Sequence, residues 1–152
     1  MGDDAMNGQE AFVIASATPA DVPALEPIAQ ECGLGVDFLA ELRRPYALLR
    51  VARLGGVVVG FSLAWRAADE LHLTDLGVTA AVRRRGIARV LVSELKREGE
   101  LGGARVILLE VRESNQAALS LYLRFGFQEL DRRARYYSDT GEDAVVMQLE
   151  LR

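Results

Sequence analysis

Residues Leu73–Glu100, LTDLGVTAAVRRRGIARVLVSELKREGE, combine the pattern of a strand, a short connection, a glycine turn and an amphipathic helix. The turn carries three arginines and Gly86 where the helix begins. The first amides of a helix have no acceptor within the helix, and they carry the positive end of its dipole. A glycine there lets an anion approach the backbone. The stretch therefore predicts a strand–turn–helix unit with a seat for a phosphate, although an arginine run alone is more often solvated surface.

Length and composition indicate an ordinary globular protein. The chain has 152 residues, 50% hydrophobic and 26% charged, and we expect a disordered tail over residues 1–10 followed by one domain over residues 11–152. A net charge of −4 argues against a nucleic-acid partner, since phosphate contacts need a basic face. The acidic start does not resemble a signal peptide, and no apolar run approaches the ~20 residues of a membrane span.

Cys32 is the only cysteine, so the chain cannot form an internal disulfide. The lack of an internal disulfide fits a reducing, cytoplasmic location. We expect Cys32 to be a small buried apolar residue. His72, the only histidine, is expected to be a packed or surface residue of a strand, with a general base as the alternative.

Hydrophobic spacing and turn residues predict an α+β fold in the order β-α-α-β-β-β-α-β-α-β-β. Three strands between Ala47 and Val78 are joined by short turns and are therefore antiparallel neighbours. The run Arg105–Val111 is nearly all apolar, which is typical of a strand covered on both faces. The last two strands are predicted at Phe127–Tyr137 and Ala144–Leu151. The result is one mixed, mostly antiparallel sheet of about seven strands with four helices.

Three polar residues follow in the second half of the chain. Glu110 ends a strand, at the carboxyl edge where crevices form in open α/β sheets. Asn115 and Tyr122 are seven residues apart on the next helix, so they share one face about 10 Å apart along the axis. We expect the three side chains to converge on one cleft. The alternatives are an ordinary strand-end carboxylate, a helix N-cap and a core aromatic residue.

The element order, with R-x-x-G-x-A after the third strand of the meander, resembles the GCN5-related N-acetyltransferase (GNAT) superfamily. The segments Ala68–Val78 (ADELHLTDLGV), Leu108–Phe127 (LLEVRESNQAALSLYLRFGF) and Arg135–Leu151 (RYYSDTGEDAVVMQLEL) resemble the RimI-type bacterial alanine N-acetyltransferases. These enzymes acetylate the N-terminal alanine of a small-subunit ribosomal protein. The resemblance implies a GNAT fold, acetyl-CoA as cosubstrate, no metal, and direct attack by the acceptor amine in a ternary complex.

The resemblance also implies roles for individual residues. Glu110 matches the proposed general base, Tyr122 the proposed general acid, and Asn115 a contact to the cofactor arm. The main chain of Leu76, Gly77 and Val78 matches the strand segment that pairs with pantetheine, which docks like an added strand. The pyrophosphate loop, whose backbone amides hold the diphosphate, comprises Arg83, Arg84, Arg85, Gly86, Ile87, Ala88 and Arg89.

Two residues depart from the common pattern of the superfamily. Arg83 stands where many relatives have glutamine. Gly77 stands where alanine is common, and we expect the glycine to loosen the strand locally.

The sequence indicates least about the amine that accepts the acetyl group. An α-amine has a pKa near 8 and a lysine near 10.4, so an N-terminal amine needs only a modest base. Glu110 would act after burial had raised its pKa, or would accept the proton through water. Other possible functions are acetylation of a lysine side chain or small amine, and a catalytically silent acetyl-CoA sensor. Four carboxylates are either contacts for a basic peptide or solvated surface: Asp69, Glu70, Glu113 and Glu142.

Overall fold

The computed structural model describes residues 12–152, so the predicted tail over residues 1–10 lies outside the described residues. The observed order of elements is the predicted one. The elements are β1 (Val13–Ser16), α1 (Val22–Glu31), α2 (Phe38–Leu42), β2 (Ala47–Leu54), β3 (Val57–Ala67), β4 (Glu70–Val78), α3 (Ile87–Leu101), β5 (Val106–Arg112), α4 (Gln116–Phe125), β6 (Gln128–Arg133) and β7 (Ala144–Glu150).

The seven strands hydrogen-bond in the order β1-β2-β3-β4-β5-β7-β6. The pairs β1–β2, β5–β7 and β6–β7 are antiparallel, whereas β4 and β5 are parallel. The parallel pair follows from the connection between them, because the chain crosses over through α3 before it returns to the sheet. The predicted mixed sheet with four helices is therefore confirmed.

The described chain forms two compact units. The first comprises residues 12–63 and 75–94, and the second comprises residues 64–74 and 95–152. In the first unit, Ile87 and Leu91 of α3 pack with Ala52 and Val59. Ile87, Leu91 and Val92 of α3 are buried whereas Arg89 and Ser93 are exposed, so the predicted amphipathic helix is confirmed.

Gly77 lies within the continuous strand β4, and the structure gives a packing reason for the glycine. A Cβ at this position would lie 2.7 Å from Cε1 of Phe61. Phe61 is fully buried and meets Phe38 edge-on, with 5.2 Å between ring centroids. The glycine therefore makes room for a core aromatic ring.

Gly77→Ala is expected to lower the free energy of unfolding by about 1–3 kcal/mol, because an added methyl must displace Phe61 from a packed core. The measurement is urea unfolding. Gly35→Ala is the matched control, since a Cβ at Gly35 meets no atom within 4 Å. Equal stability of the two variants would contradict the packing explanation.

The second unit corrects two predictions. Along β5, Ile107, Leu109 and Val111 are buried, whereas Glu110 is exposed, so only one face of this strand is fully covered. The prediction of two covered faces was wrong because polar residues alternate with apolar ones at the end of the strand.

The strand predicted at Phe127–Tyr137 is shorter and extends only over Gln128–Arg133. Arg135 adopts a left-handed backbone with φ of +53°, which a strand cannot continue through. The next residues are tied to β5, where the Arg112 guanidinium lies 4.1 Å from the ring centroid of Tyr137. Arg112 also pairs with both carboxylate oxygens of Asp139, each at 3.0 Å.

Candidate active site

The arginine turn of the first unit has the backbone of an anion-binding loop. Arg84 and Gly86 both have left-handed conformations, with φ of +68° and +82°, and α3 begins at the next residue. Such turns direct successive amides toward one side and place them at the positive end of a helix. A Cβ at Gly86 would meet nothing within 4 Å, so the backbone is open to an approaching group. These features fit a diphosphate.

Arg83 differs from the other arginines of this loop because its side chain bonds within the first unit. Its Nε donates to the carbonyl oxygen of Val78 at 3.0 Å, and its Nη2 donates to Sγ of Cys32 at 3.4 Å. Cys32 is half-buried beside this guanidinium and also contacts the Val78 carbonyl at 3.6 Å. The prediction of a buried apolar cysteine was wrong.

The remaining arginines of the loop, Arg84, Arg85 and Arg89, are exposed, which leaves their charges for a ligand.

Leu76, Gly77 and Val78 lie past the end of the β4–β5 ladder. That ladder pairs Glu70–Leu73 with Val106–Leu109, while β4 itself continues to Val78. Where a strand extends beyond its paired neighbour, its main-chain groups are available to an extended ligand. Pairing with a pantetheine amide requires this arrangement. The Val78 carbonyl already accepts from Arg83 and Cys32.

In the second unit, Glu110 projects from the exposed side of β5. Its Oε2 accepts a hydrogen bond from Nη1 of Arg133 at 2.7 Å. The nearby carboxylate of Glu110 raises the pKa of Tyr136. The Glu110 side chain is 31% exposed. The carboxylate is therefore accessible to water, and this geometry favours the proton route through water.

Tyr122 lies on α4 and is buried, with its ring 5.4 Å from that of Phe127 in an edge-on contact. Burial raises the pKa of Tyr122 well above its ordinary value near 10. Within residues 12–152, no side chain or backbone group forms a recorded hydrogen bond with its hydroxyl. The phenol is therefore a protonated donor with no competing acceptor in the described part of the chain.

Asn115 is the N-cap of α4, because its Oδ1 accepts from the amide of Ala118 at 3.1 Å. The N-cap interpretation is correct. The side-chain nitrogen of Asn115, Nδ2, is left for the proposed cofactor contact. No hydrogen bond or ion pair joins Glu110, Asn115 and Tyr122 to one another in the described part of the chain. Each has its own partners in the second unit, so their convergence on one cleft stays a prediction.

The sequence interpretation misses the role of Arg133 as the partner of Glu110. A continuous strand over Phe127–Tyr137 gives neither Arg133 nor Tyr136 a role. The pattern RRARYY, in which two aromatic residues follow three arginines and one alanine, was the available signal that this segment leaves the sheet.

His72 and the four acidic residues have ion-pair partners within the second unit. Nε2 of His72 lies 3.1 Å from Oε1 of Glu70, and the His72 side chain is 42% exposed, as expected for a surface strand residue. Arg105 pairs with both Asp69 and Glu70. Glu113 pairs with Arg132, and Glu142 with Arg112. These carboxylates are engaged within the chain, which does not favour them as contacts for a basic peptide.

Among residues 12–152, no helix is long and apolar enough to cross a membrane, and no cluster of three or more ligating side chains could hold a metal ion.

Comparisons with known proteins identify the family of this chain. The family model of the acetyltransferase (GNAT) family matches residues 15–127. The N-alpha-acetyltransferase RimI of Mycobacterium tuberculosis is 34% identical over 148 residues, which cover 91% of this chain and 92% of that protein. The crystal structure of the ribosomal-protein-S18-alanine N-acetyltransferase from Escherichia coli matches with a TM-score of 0.85 and 31% identity, covering 93% of this chain and 94% of that one.

A third structure, the PaiA N-acetyltransferase from Thermoplasma acidophilum in complex with coenzyme A, matches with a TM-score of 0.77. Its identity is 18%, over 92% of this chain and 99% of that one, so it supports the fold alone.

The chain belongs to the acetyltransferase (GNAT) family, and it is an acyltransferase whose cosubstrate is acetyl-CoA.

Proposed function

We propose that this protein is an N-alpha-acetyltransferase that acetylates the N-terminal alanine of a small-subunit ribosomal protein. The observation that carries the proposal is the pair of side chains in the second unit, a half-exposed carboxylate at Glu110 and a buried phenol at Tyr122. The similarity to the RimI enzyme extends over 91% of the chain, and that enzyme is named an N-alpha-acetyltransferase. The similar Escherichia coli enzyme is named for the alanine of ribosomal protein S18. The alternative acceptors, lysine side chains and small amines, have no observation in their favour.

The loop from Arg83 to Arg89 is proposed to hold the diphosphate of acetyl-CoA, and Leu76–Val78 its pantetheine arm, while the thioester supplies the acetyl group. An α-amine is mostly protonated at neutral pH and must lose a proton before its nitrogen can form the new bond. Glu110 takes that proton through water, which its exposure permits. Tyr122 donates its hydroxyl hydrogen to the sulfur as the carbon–sulfur bond breaks.

The phenol works through a hydrogen bond or a late proton transfer. A thiol has a pKa near 8.5 and an ordinary phenol one near 10, so an early transfer to sulfur is uphill. The burial that raises the pKa of Tyr122 increases this difference and keeps the hydroxyl protonated over the working pH range.

The acceptor is tested by mass spectrometry of peptides incubated with the protein and acetyl-CoA. The panel contains an alanine-initiated peptide with the N-terminal sequence of ribosomal protein S18, the same peptide with a blocked N-terminus and an internal lysine, and several small amines. Acetylation of the unblocked α-amine alone is expected. Preferred acetylation of the lysine or of a small amine would overturn the proposal, and the absence of transfer to any amine would favour an acetyl-CoA sensor.

Glu110→Gln is expected to move the pH–rate profile to higher pH and to lower the rate below neutral pH by about a hundredfold. Without the base, only the amine that is already neutral reacts, and its fraction grows as the pH approaches 8. The measurement is kcat against pH with the alanine peptide. Glu129→Gln is the control, because it removes an exposed carboxylate whose partner is Arg132. An unaltered profile for Glu110→Gln would remove Glu110 from the role of base.

A further inference from the structure

The carboxylate of Glu110 is held by a neighbouring arginine that the proposed reaction does not use. Arg133 donates to Oε2 of Glu110 at 2.7 Å. The guanidinium carbon of Arg133 lies 4.5 Å from the ring centroid of Tyr136, so the guanidinium stacks on this ring. A guanidinium supported on an aromatic face has a restricted orientation.

A β-bulge determines which arginine reaches Glu110. Between Glu129 and Asp131 the register of β6 against β7 shifts, so Leu130 is an extra residue without a partner. Arg133 is thereby placed opposite Ala144, which is itself opposite Arg112. Without the extra residue, Arg132 would take that position, because a slip of one residue exchanges the two faces of a strand.

The same register explains the reach of Arg133. Arg112 is two residues after Glu110 on β5, so the two side chains share a face. The residue between Arg133 and Arg112 is Ala144, whose small side chain lets the arginine extend across β7 toward Glu110. Arg132 points to the other face, where it pairs with Glu113 and Glu129.

We propose that Arg133 is a positioning residue, which fixes the carboxylate of Glu110 so that its remaining lone pairs receive the proton of the acceptor amine. The proposal rests on the assignment of Glu110 as the base. Arg133 bonds one oxygen, and an ionised carboxylate has about four acceptor positions in total, so capacity is left for water or the amine. The proton leaves the amine nitrogen, passes to the carboxylate and then to solvent.

A purely structural role for this ion pair is not expected. Both side chains are partly exposed, Arg133 by 55% and Glu110 by 31%, and pairs of this kind contribute little to stability. The loss of Arg133 therefore changes the melting temperature little but removes the constraint on the orientation of the base.

The test is a double-mutant cycle on the full chain with acetyl-CoA and the alanine peptide. Arg133→Ala is expected to lower kcat about tenfold with an unchanged KM for acetyl-CoA, and the loss should disappear in the Glu110→Gln background. Arg133→Lys recovers part of the rate, because an ammonium keeps the charge but not the stacked planar group. Arg132→Ala, the adjacent arginine on the opposite face, is the control and retains the wild-type rate.

The outcomes distinguish a failure of the positioning role of Arg133 from a failure of the assignment of Glu110 as the base. A wild-type rate for Arg133→Ala, or an equal loss in both backgrounds, overturns the positioning role. A wild-type pH profile for Glu110→Gln overturns the assignment of the base, and with it the proposal.

A measurement of side-chain motion tests the pair independently of turnover. NMR of the guanidinium group of Arg133 is expected to show restricted rotation in the wild type and faster rotation in Glu110→Gln. Free rotation in the wild-type protein would overturn the proposal even if the acceptor amine were a different one.

Discussion

Tyr122→Phe is expected to lower kcat by about one to three orders of magnitude while the affinity for acetyl-CoA stays near that of the wild type, the usual range for the loss of a general acid. Phenylalanine keeps the ring and its contact with Phe127, so the substitution removes only the hydroxyl. The leaving sulfur then carries its developing charge without a donor, whereas no part of the diphosphate loop changes.

The stability of Tyr122→Phe separates a catalytic role from a structural one. The hydroxyl is buried and has no recorded hydrogen-bond partner among residues 12–152. Removing a buried polar group that has no protein partner is neutral or stabilising. We therefore expect a loss of turnover together with an unchanged or raised melting temperature. Single-turnover release of the thiol measures the first quantity and thermal unfolding the second, and wild-type turnover would remove Tyr122 from the mechanism.

The pH dependence of the wild type provides a further check on Tyr122. Because burial raises its pKa above the ordinary value near 10, the phenol stays protonated at pH values where an exposed tyrosine ionises. The wild-type rate should therefore not fall near pH 10 through ionisation of Tyr122. Near this pH, the profiles of the wild type and of Tyr122→Phe should have the same shape. A decline of that kind would mean that the phenol is accessible to solvent during turnover.

Local chemistry explains why much of the fold could be predicted from the sequence. The apolar spacing of Ile87, Leu91 and Leu95 defines α3, and Gly86 defines the turn before it. The short connections between the strands of the meander leave only antiparallel pairing. The positions of Glu110 at a strand end and of Tyr122 on the following helix were also predictable, since both depend on element boundaries alone.

Contacts between distant residues explain what could not be predicted. Gly77 is required by the ring of Phe61, which is sixteen residues earlier in the chain, and no local pattern indicates that a Cβ at position 77 would lie 2.7 Å from that ring. The choice of Arg133 over Arg132 as the partner of Glu110 depends on one bulged residue, Leu130. Both arginines have the same propensities, so only the register of β6 against β7 distinguishes them.

Gly86→Glu is expected to abolish acetyl-CoA binding while the protein stays folded. The new carboxylate would stand at the start of α3, where the loop is proposed to hold a diphosphate, and like charges at close range repel strongly. No atom lies within 4 Å of a Cβ at this position, so the side chain displaces nothing in the core. The remaining cost is backbone strain, since φ is +82°, and we expect it to be about 1 kcal/mol.

Gly103→Glu is a closely matched control for Gly86→Glu. Gly103 has φ of +79° and likewise no atom within 4 Å of a Cβ, so the substitution adds the same charge and similar strain. Calorimetric titration with acetyl-CoA should give wild-type affinity for Gly103→Glu and no measurable binding for Gly86→Glu. Both variants should unfold cooperatively, with melting temperatures lowered by about 2–4 °C. Retained binding by Gly86→Glu would show that the diphosphate is held elsewhere in the protein.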